Sequence, residues 1–114
     1  MKKVGKRFKR NAAYLKALKS ARSAKKRMSL VNRANPNQIF AIMDAANNIL
    51  NGNFPITSRQ KSRMLPYRDT IRQLGRARTL DSARAVLQNG NGCFLPCLLA
   101  PIIQQVARKT IKII

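Results

Sequence analysis

The sequence predicts an all-α fold, a small bundle of four or five short helices with a flexible basic N-terminal arm. Apolar residues recur with the 3.6-residue helical period over 39–50, which is typical of a helix with one buried face. Residues that favour helix ends flank this run, with Asn35 and Pro36 before it and Gly52 after it. With 114 residues, 45% of them hydrophobic, the chain can form one domain with a modest core and is too apolar for a disordered polycation.

The charged residues of the chain exclude most classes of enzyme. There are 24 lysines and arginines, no histidine, and three acidic residues, Asp44, Asp69 and Asp81. Without histidine, the commonest general base and the imidazole of serine and cysteine triads are missing. Three scattered carboxylates do not make the carboxylate pair of a hydrolase, and two cysteines cannot supply the four ligands of a structural zinc ion. We therefore expect no enzymatic activity, no cofactor and no metal site.

Charge divides the chain into a basic arm over residues 1–33, a small helical basic domain over 34–91 and an apolar segment over 92–114. The arm carries 13 basic residues and no acidic one, and its beginning is expected to be flexible. Residues 11–28 have the pattern of one amphipathic helix, with Leu18 on its apolar face. Like charges at a spacing of four residues repel one another, so the arm is expected to become partly helical on binding an anion.

Capping residues locate the other helices of the basic domain. Thr57 and Gln60 have the spacing of a capping box, so a helix is expected to begin there. Pro66 is expected either to kink that helix or to restart it, because proline lacks the donor that continues a helix. Either Thr79 or Asp81 is expected to cap a further short helix.

The apolar segment allows three interpretations. Its large apolar residues are spaced as one face of a helix, which Pro101 would bend. It is a last core helix packed on the stripe Ile39–Leu50, a membrane-active segment, or an anchor for a capsid protein. A transmembrane helix is not expected, because the apolar run is short and contains Pro96 as well as Pro101. Both cysteines of the segment are interpreted as small buried hydrophobic residues.

A net charge of +21 indicates a polyanionic partner, of which nucleic acid is the commonest. Lysine and arginine contact phosphates without reading sequence, and few aromatic residues are present for base stacking. We therefore expect a protein that binds and condenses double-stranded DNA without sequence specificity, RNA being the less favoured partner. A ribosomal RNA-binding protein and a membrane-active cationic protein are the alternatives. The residues expected to contact nucleic acid are Lys2, Lys3, Lys6, Arg7, Lys9, Arg10, Lys16, Lys19, Arg22, Lys26, Arg27, Arg59, Lys61, Arg63, Arg68, Arg72, Arg76 and Arg78.

The junction before the apolar segment reads Gln-Asn-Gly-Asn-Gly over residues 88–92, which is the composition of a hinge. It also resembles the recognition pattern of adenovirus-type cysteine proteases. These enzymes accept an apolar, Asn or Gln residue, any residue, Gly and any residue, and they cut before a further Gly. Gln88, Gly90 and Gly92 occupy the defined positions, so the resemblance implies cleavage between Asn91 and Gly92.

Two short runs, Ile49–Lys61 and Gly92–Pro96, resemble segments of the small basic proteins of adintoviruses and Maverick/Polinton-type elements. The whole layout is similar to the precursor of the adenovirus core peptide mu. Over about Ala41–Pro101, the resemblance implies a virion core protein that binds viral double-stranded DNA. It further implies location in the virion and the host nucleus, with a viral protease and capsid proteins as partners. The chain departs from its relatives at Pro66, inside the basic helix, and at 90–92, where they place two adjacent glycines.

Overall fold

The computed structural model describes residues 6–52, 55–88 and 92–112 of the chain. Every regular element in these ranges is helical, which confirms the predicted all-α bundle. The elements in chain order are α1 (Lys6–Arg10), α2 (Ala12–Ser20), α3 (Ala24–Asn32), α4 (Pro36–Leu50), α5 (Ser58–Met64), a 3-10 turn (Leu65–Tyr67), α6 (Arg68–Arg76), α7 (Leu80–Gln88) and α8 (Leu95–Lys112).

The described residues form eight α-helical segments rather than four or five, partly because the helix predicted over 11–28 is divided in two. The backbone of Ala21 is extended, with φ −63° and ψ 121°, and this ends α2. Ser23 then begins α3, since its hydroxyl accepts a hydrogen bond from the backbone N–H of Lys26 at 3.1 Å. A cap residue in the sequence therefore outweighs the continuous amphipathic pattern at this point.

Helix α4 begins and ends as the sequence predicts. The Asn35 side chain accepts a hydrogen bond from the backbone N–H of Gln38 at 2.9 Å, and the Gln38 side chain accepts one from the Asn35 N–H at 3.0 Å. Pro36 occupies the first turn, where a missing N–H has no cost. Gly52 follows the helix in the left-handed conformation, at φ +69°.

The caps of α5 and α7 are also local features of the sequence. Thr57 and Gln60 form the predicted capping box, with hydrogen bonds of 2.9 and 3.1 Å. Pro66 lies in the 3-10 turn, after which α6 begins as a new helix, so the proline restarts the helix. Of the two candidate caps for α7, Thr79 is the one used, because its hydroxyl accepts a hydrogen bond from the Ser82 N–H at 3.1 Å.

The N-terminal third of the chain contributes to the core from Phe8 onward. Leu15 and Leu18 of α2 and Val31 of α3 are fully buried, and Phe8 of α1 is 4% exposed. The apolar face of α2 has a partner within the chain, since α2 packs more extensively on α8 than any other pair of helices does. Burial of these side chains stabilises the helix despite the repulsion between its lysines.

Helix α8 confirms the interpretation of the apolar segment as the last core helix. Six large apolar residues of the helix and of the turn before it belong to the core: Phe94, Leu95, Leu98, Leu99, Ile102 and Ile103. The helix contacts α4, as expected, but its main partner is α2, and it also contacts α5. None of the described helices combines the length and the apolar character that crossing a membrane would need. One core thus contains residues from all three segments that the charge pattern separates.

Candidate nucleic-acid interface

The structure exposes most of the cations that the sequence assigns to nucleic acid. Lys2 and Lys3 lie outside the described residues, and Lys6 and Arg7 belong to α1. Lys19 and Arg27 are half-buried. The exposed members of the predicted set are Lys9, Arg10, Lys16, Arg22, Lys26, Arg59, Lys61, Arg63, Arg68, Arg72, Arg76 and Arg78.

Helix α6 presents a row of arginines to solvent, which we call the arginine ridge: Arg68, Arg72 and Arg76. The three side chains are exposed and four residues apart, while Ile71 and Leu74 on the opposite face are buried. Four residues advance a helix by about 6 Å, so the ridge is about 12 Å long. Among the described residues, the structure pairs none of the three guanidinium groups with a carboxylate. The ridge is therefore a line of positive charge without an ion pair in the described part of the chain, and the one carboxylate on this helix, Asp69, lies three residues before Arg72.

The restart at Pro66 decides how the two basic helices are arranged. Arg59, Lys61 and Arg63 belong to α5, whereas the arginine ridge belongs to α6, and the 3-10 turn separates them. The basic residues of 59–76 therefore do not lie on one continuous helix. They form two short basic faces, each with its own apolar side in the core.

Two arginines that lie between helices hydrogen-bond to backbone carbonyls of the protein. Arg27 donates from Nη1 to the carbonyl of Ala21 at 3.3 Å, and its Nη2 lies 3.9 Å from the sulfur of Cys93. Arg84 of α7, which is outside the predicted set, donates to the carbonyl of Val31 at 3.0 Å and to that of Ala34 at 2.6 Å. Ala21 and Ala34 follow α2 and α3, and Val31 lies in the last turn of α3. Helices leave carbonyl acceptors without helical donors at these ends, so both arginines act as C-terminal caps.

We expect Arg84→Met to lower the free energy of unfolding by about 2 kcal/mol, because the carbonyls of Ala34 and Val31 lose the guanidinium donors, and only that of Val31 keeps a backbone donor, the N–H of Ala34 at 3.2 Å. Arg84→Lys should recover only part of the loss, since an ammonium group cannot reproduce the forked geometry of a guanidinium. The midpoint of urea unfolding measures both effects. Arg72→Met is the control, because Arg72 is exposed, and its effect should stay within about 0.5 kcal/mol. Equal midpoints for Arg84→Met and wild type would contradict the capping role.

Tyr14 joins α2 to the end of α3, in the neighbourhood of Arg84. Its hydroxyl donates a hydrogen bond to the carbonyl of Leu30 at 2.9 Å. Burial raises the pKa of Tyr14 to about 12 from its ordinary value of 10.0, and the positive charge of Arg84 opposes the rise. The neutral phenol is therefore the form that the fold accommodates.

The stability of the protein should fall between pH 10 and pH 12 in part because of Tyr14. In that range the tyrosine of the unfolded chain loses its proton while the folded one keeps it, so the folded state binds more protons and rising pH favours unfolding. Urea unfolding of wild type and Tyr14→Phe at a series of pH values isolates this contribution, since every other titrating group is common to both. The stability difference between the two proteins should shift in favour of Tyr14→Phe above pH 10; a constant difference would contradict this account.

The two cysteines are more accessible than the sequence interpretation proposed. Cys93 is exposed and Cys97 is half-buried, and both are free thiols. The interpretation of Cys93 as a buried hydrophobic residue is wrong, because its side chain is exposed in the turn before α8. Phe94 and Leu95 beside it occupy the core positions.

The structure describes part of the predicted protease junction. Gln88 is exposed at the end of α7, and its side-chain amide donates to Asn32 Oδ1 at 3.1 Å. Gly90 and Asn91 lie outside the described residues. Gly92 is buried at φ +67°, and a Cβ there would stand 3.0 Å from side-chain carbons of Met28 and Leu95. The left-handed backbone and the close side chains thus favour glycine at position 92 through the fold itself.

Sequence reasoning did not include Lys25 and Arg33, which are also exposed cations on and just after α3. The helix predicted over 11–28 set a wrong rotational register for α3, since the structure begins a new helix after Ser23. The serine at the start of this helix is the signal that would have revealed the new register.

Comparison with known proteins does not assign the chain to a family. No family model, curated protein or solved structure matches it. The function therefore has to be inferred from the residues and their arrangement.

Proposed function

We propose that this protein binds double-stranded DNA without sequence specificity and condenses it. The observation that carries the proposal is the set of exposed cations on α1, α2, α3, α5 and α6, among them the arginine ridge, on a chain with only three acidic residues. Such a surface attracts a polyanion strongly, because each phosphate it neutralises releases a condensed counterion. Contacts to phosphates position a protein on the duplex and carry no sequence information.

The distribution of the cations supports condensation rather than binding at single sites. Exposed basic residues lie on α1, α2, α3, α5 and α6, rather than on one helix that could enter a groove. Cations that several helices supply are numerous enough to neutralise two duplex segments at once and hold them together. The high net charge favours the same outcome, because each bound duplex relieves the repulsion within the protein.

Within this proposal, the biological setting is the core of a virion whose DNA enters the host nucleus, as the resemblance to adintovirus proteins implies. Capsid proteins and an adenovirus-type protease are then further partners. Cleavage between Asn91 and Gly92 would need local opening, because Gly92 is buried and left-handed rather than extended. A ribosomal role with RNA remains the alternative that shares this charge. The membrane-active alternative has less support, since the apolar residues of α8 that it relied on are in the core.

The proposal is tested by measuring affinity against salt for two duplex DNAs of equal length and unrelated sequence. With about ten phosphates neutralised, the logarithm of the binding constant should fall with the logarithm of salt concentration at a slope of roughly −9. The two sequences should give the same slope and affinity. A large preference for one sequence would reject the proposal. Tighter binding of duplex RNA would favour the ribosomal alternative, and salt-resistant leakage of anionic vesicles would favour the membrane-active one.

A further inference from the structure

A groove between α2, α5 and α8 brings together side chains from three distant parts of the sequence. Its volume is about 260 Å³, close to the lower end of small-molecule sites. Small side chains of α8 and its first turn leave this space open. The residues that line the groove are Lys19, Gln60, Arg63, Pro96, Cys97 and Ala100.

The groove holds two positive charges and no negative one. Lys19 of α2 is half-buried, and Arg63 of α5 is exposed at the same groove. The acidic residues of the chain lie elsewhere, Asp44 on α4, Asp69 on α6 and Asp81 on α7. Packing of α2 and α5 against α8 thus brings two like charges to one groove without a counter-charge in its lining. A bound anion would remove the repulsion between them.

Gln60 provides a third hydrogen-bond donor at the same place. Its Oε1 is occupied by the N–H of Thr57 at 2.9 Å, so the amide is held in one orientation. Its Nε2 donates to Gln104 Oε1 at 3.0 Å. A side-chain amide nitrogen carries two hydrogens, and one of these is left to donate to a ligand. An ammonium, a guanidinium and an amide together suit the oxygens of a phosphate.

We propose that this groove is a localised binding site for a phosphodiester group of DNA, with Lys19, Arg63 and Gln60 as its donors. The inference rests on the proposed function, because DNA supplies the phosphate. It goes further because it assigns one phosphate to a defined site, whereas the remaining surface cations attract DNA without defined positions. Cys97 in the lining makes the site observable, since its thiol is at the groove and a bound phosphate would cover it.

The test is the rate at which iodoacetamide, an uncharged reagent, alkylates Cys97 in a Cys93→Ser variant, with and without a short duplex DNA. DNA at about ten times its Kd should slow the alkylation roughly tenfold, because the free fraction of protein falls to about a tenth. In the Cys93→Ser variant that also carries Lys19→Gln and Arg63→Gln, DNA should slow the alkylation of Cys97 much less. The matched control carries Lys25→Gln and Arg33→Gln, which remove the same two charge types from exposed positions outside the groove. These two cations also belong to the DNA-binding surface, so each variant receives DNA at about ten times its own Kd, and the control should then keep its protection.

Fluorescence anisotropy of the labelled duplex, recorded on the same samples, separates the two ways in which the test can fail. If DNA binds and Cys97 is not protected, or if the groove variant is protected as fully as the control, the phosphate site is rejected while the proposed function stands. If no duplex binds at low salt, the proposed function is rejected and the site with it. Circular dichroism of each variant checks that the fold is retained.

Discussion

A chain that ends at Asn91 should show no cooperative thermal unfolding, whereas the full chain should unfold in one transition. The shortened chain lacks α8 and the turn before it, which contribute six buried side chains to the core. At about 1.5 to 3 kcal/mol for each buried side chain, the loss is roughly 9 to 18 kcal/mol. The whole stability of a domain of this size is about 5 to 15 kcal/mol, so the remainder cannot stay folded.

Helix α2 should be affected first, because it packs on α8 more extensively than on any other element. Without α8, Leu15 and Leu18 would face water, and a nine-residue helix with lysines on its surface is not stable alone. Circular dichroism at increasing temperature measures the outcome. Gln104→Ala is the control on the same helix, because Gln104 is exposed and its loss removes only the solvent-exposed hydrogen bond from Gln60, so its transition should remain cooperative and lie close to that of wild type. A sharp transition near the wild-type temperature in the shortened chain would show that the core does not depend on α8.

The expected loss of folding in the shortened chain has a consequence for the proposed cleavage between Asn91 and Gly92. The compact folded body contains α8, so it is the uncut form of the chain. If a protease removes the last segment, the basic part should lose its core and expose its cations on a flexible chain. The sequence predicts a basic arm that becomes helical on binding an anion. That behaviour would then be expected of the cut chain rather than of the uncut chain.

The elements that the sequence predicts correctly are those whose signals are local. Asn35 with Gln38, and Thr57 with Gln60, satisfy each other within four residues, so the beginnings of α4 and α5 need no knowledge of the rest of the fold. The division between α2 and α3 is different, because the carbonyl of Ala21 is released from helical bonding and accepts from Arg27 instead. That compensation depends on how the two helices cross, which alanine and lysine preferences do not reveal.

In the candidate interface, too, some features follow from local sequence and others depend on the tertiary fold. Composition alone predicts a basic surface, and the spacing of four residues predicts that Arg68 and Arg72 share one face of a helix. The sequence indicates a helix end at Gly75, whereas in the structure α6 continues to Arg76, which completes the arginine ridge. Composition cannot separate Arg84, which caps α3, from the arginines that face solvent, because the carbonyls it binds are about 50 residues away in the chain. The groove is also invisible in the sequence, since Lys19 and Arg63 meet only when α2 and α5 pack on α8.

Replacing the arginine ridge with glutamines, as Arg68→Gln, Arg72→Gln and Arg76→Gln in one chain, should weaken DNA binding by about two to three orders of magnitude at 0.1 M salt. The salt slope should become shallower by about 2.7, because each phosphate that is no longer neutralised lowers its magnitude by about 0.9. The weakening should be the same for duplexes of unrelated sequence, since phosphate contacts carry no sequence information. Titrations of a labelled duplex at several salt concentrations measure the slope and the affinity together.

Stability distinguishes weaker DNA binding from a loss of fold in this experiment. The ridge places like charges four residues apart, an arrangement that destabilises a helix by a few tenths of a kcal/mol per pair. Its removal should therefore leave the urea midpoint unchanged or slightly higher while affinity falls. Gln73→Ala, at an exposed and uncharged position of α6, should change neither quantity. If the triple variant kept the wild-type slope, the ridge would lie outside the DNA-binding surface, and DNA would have to bind through the cations of α1 to α3 and α5 instead.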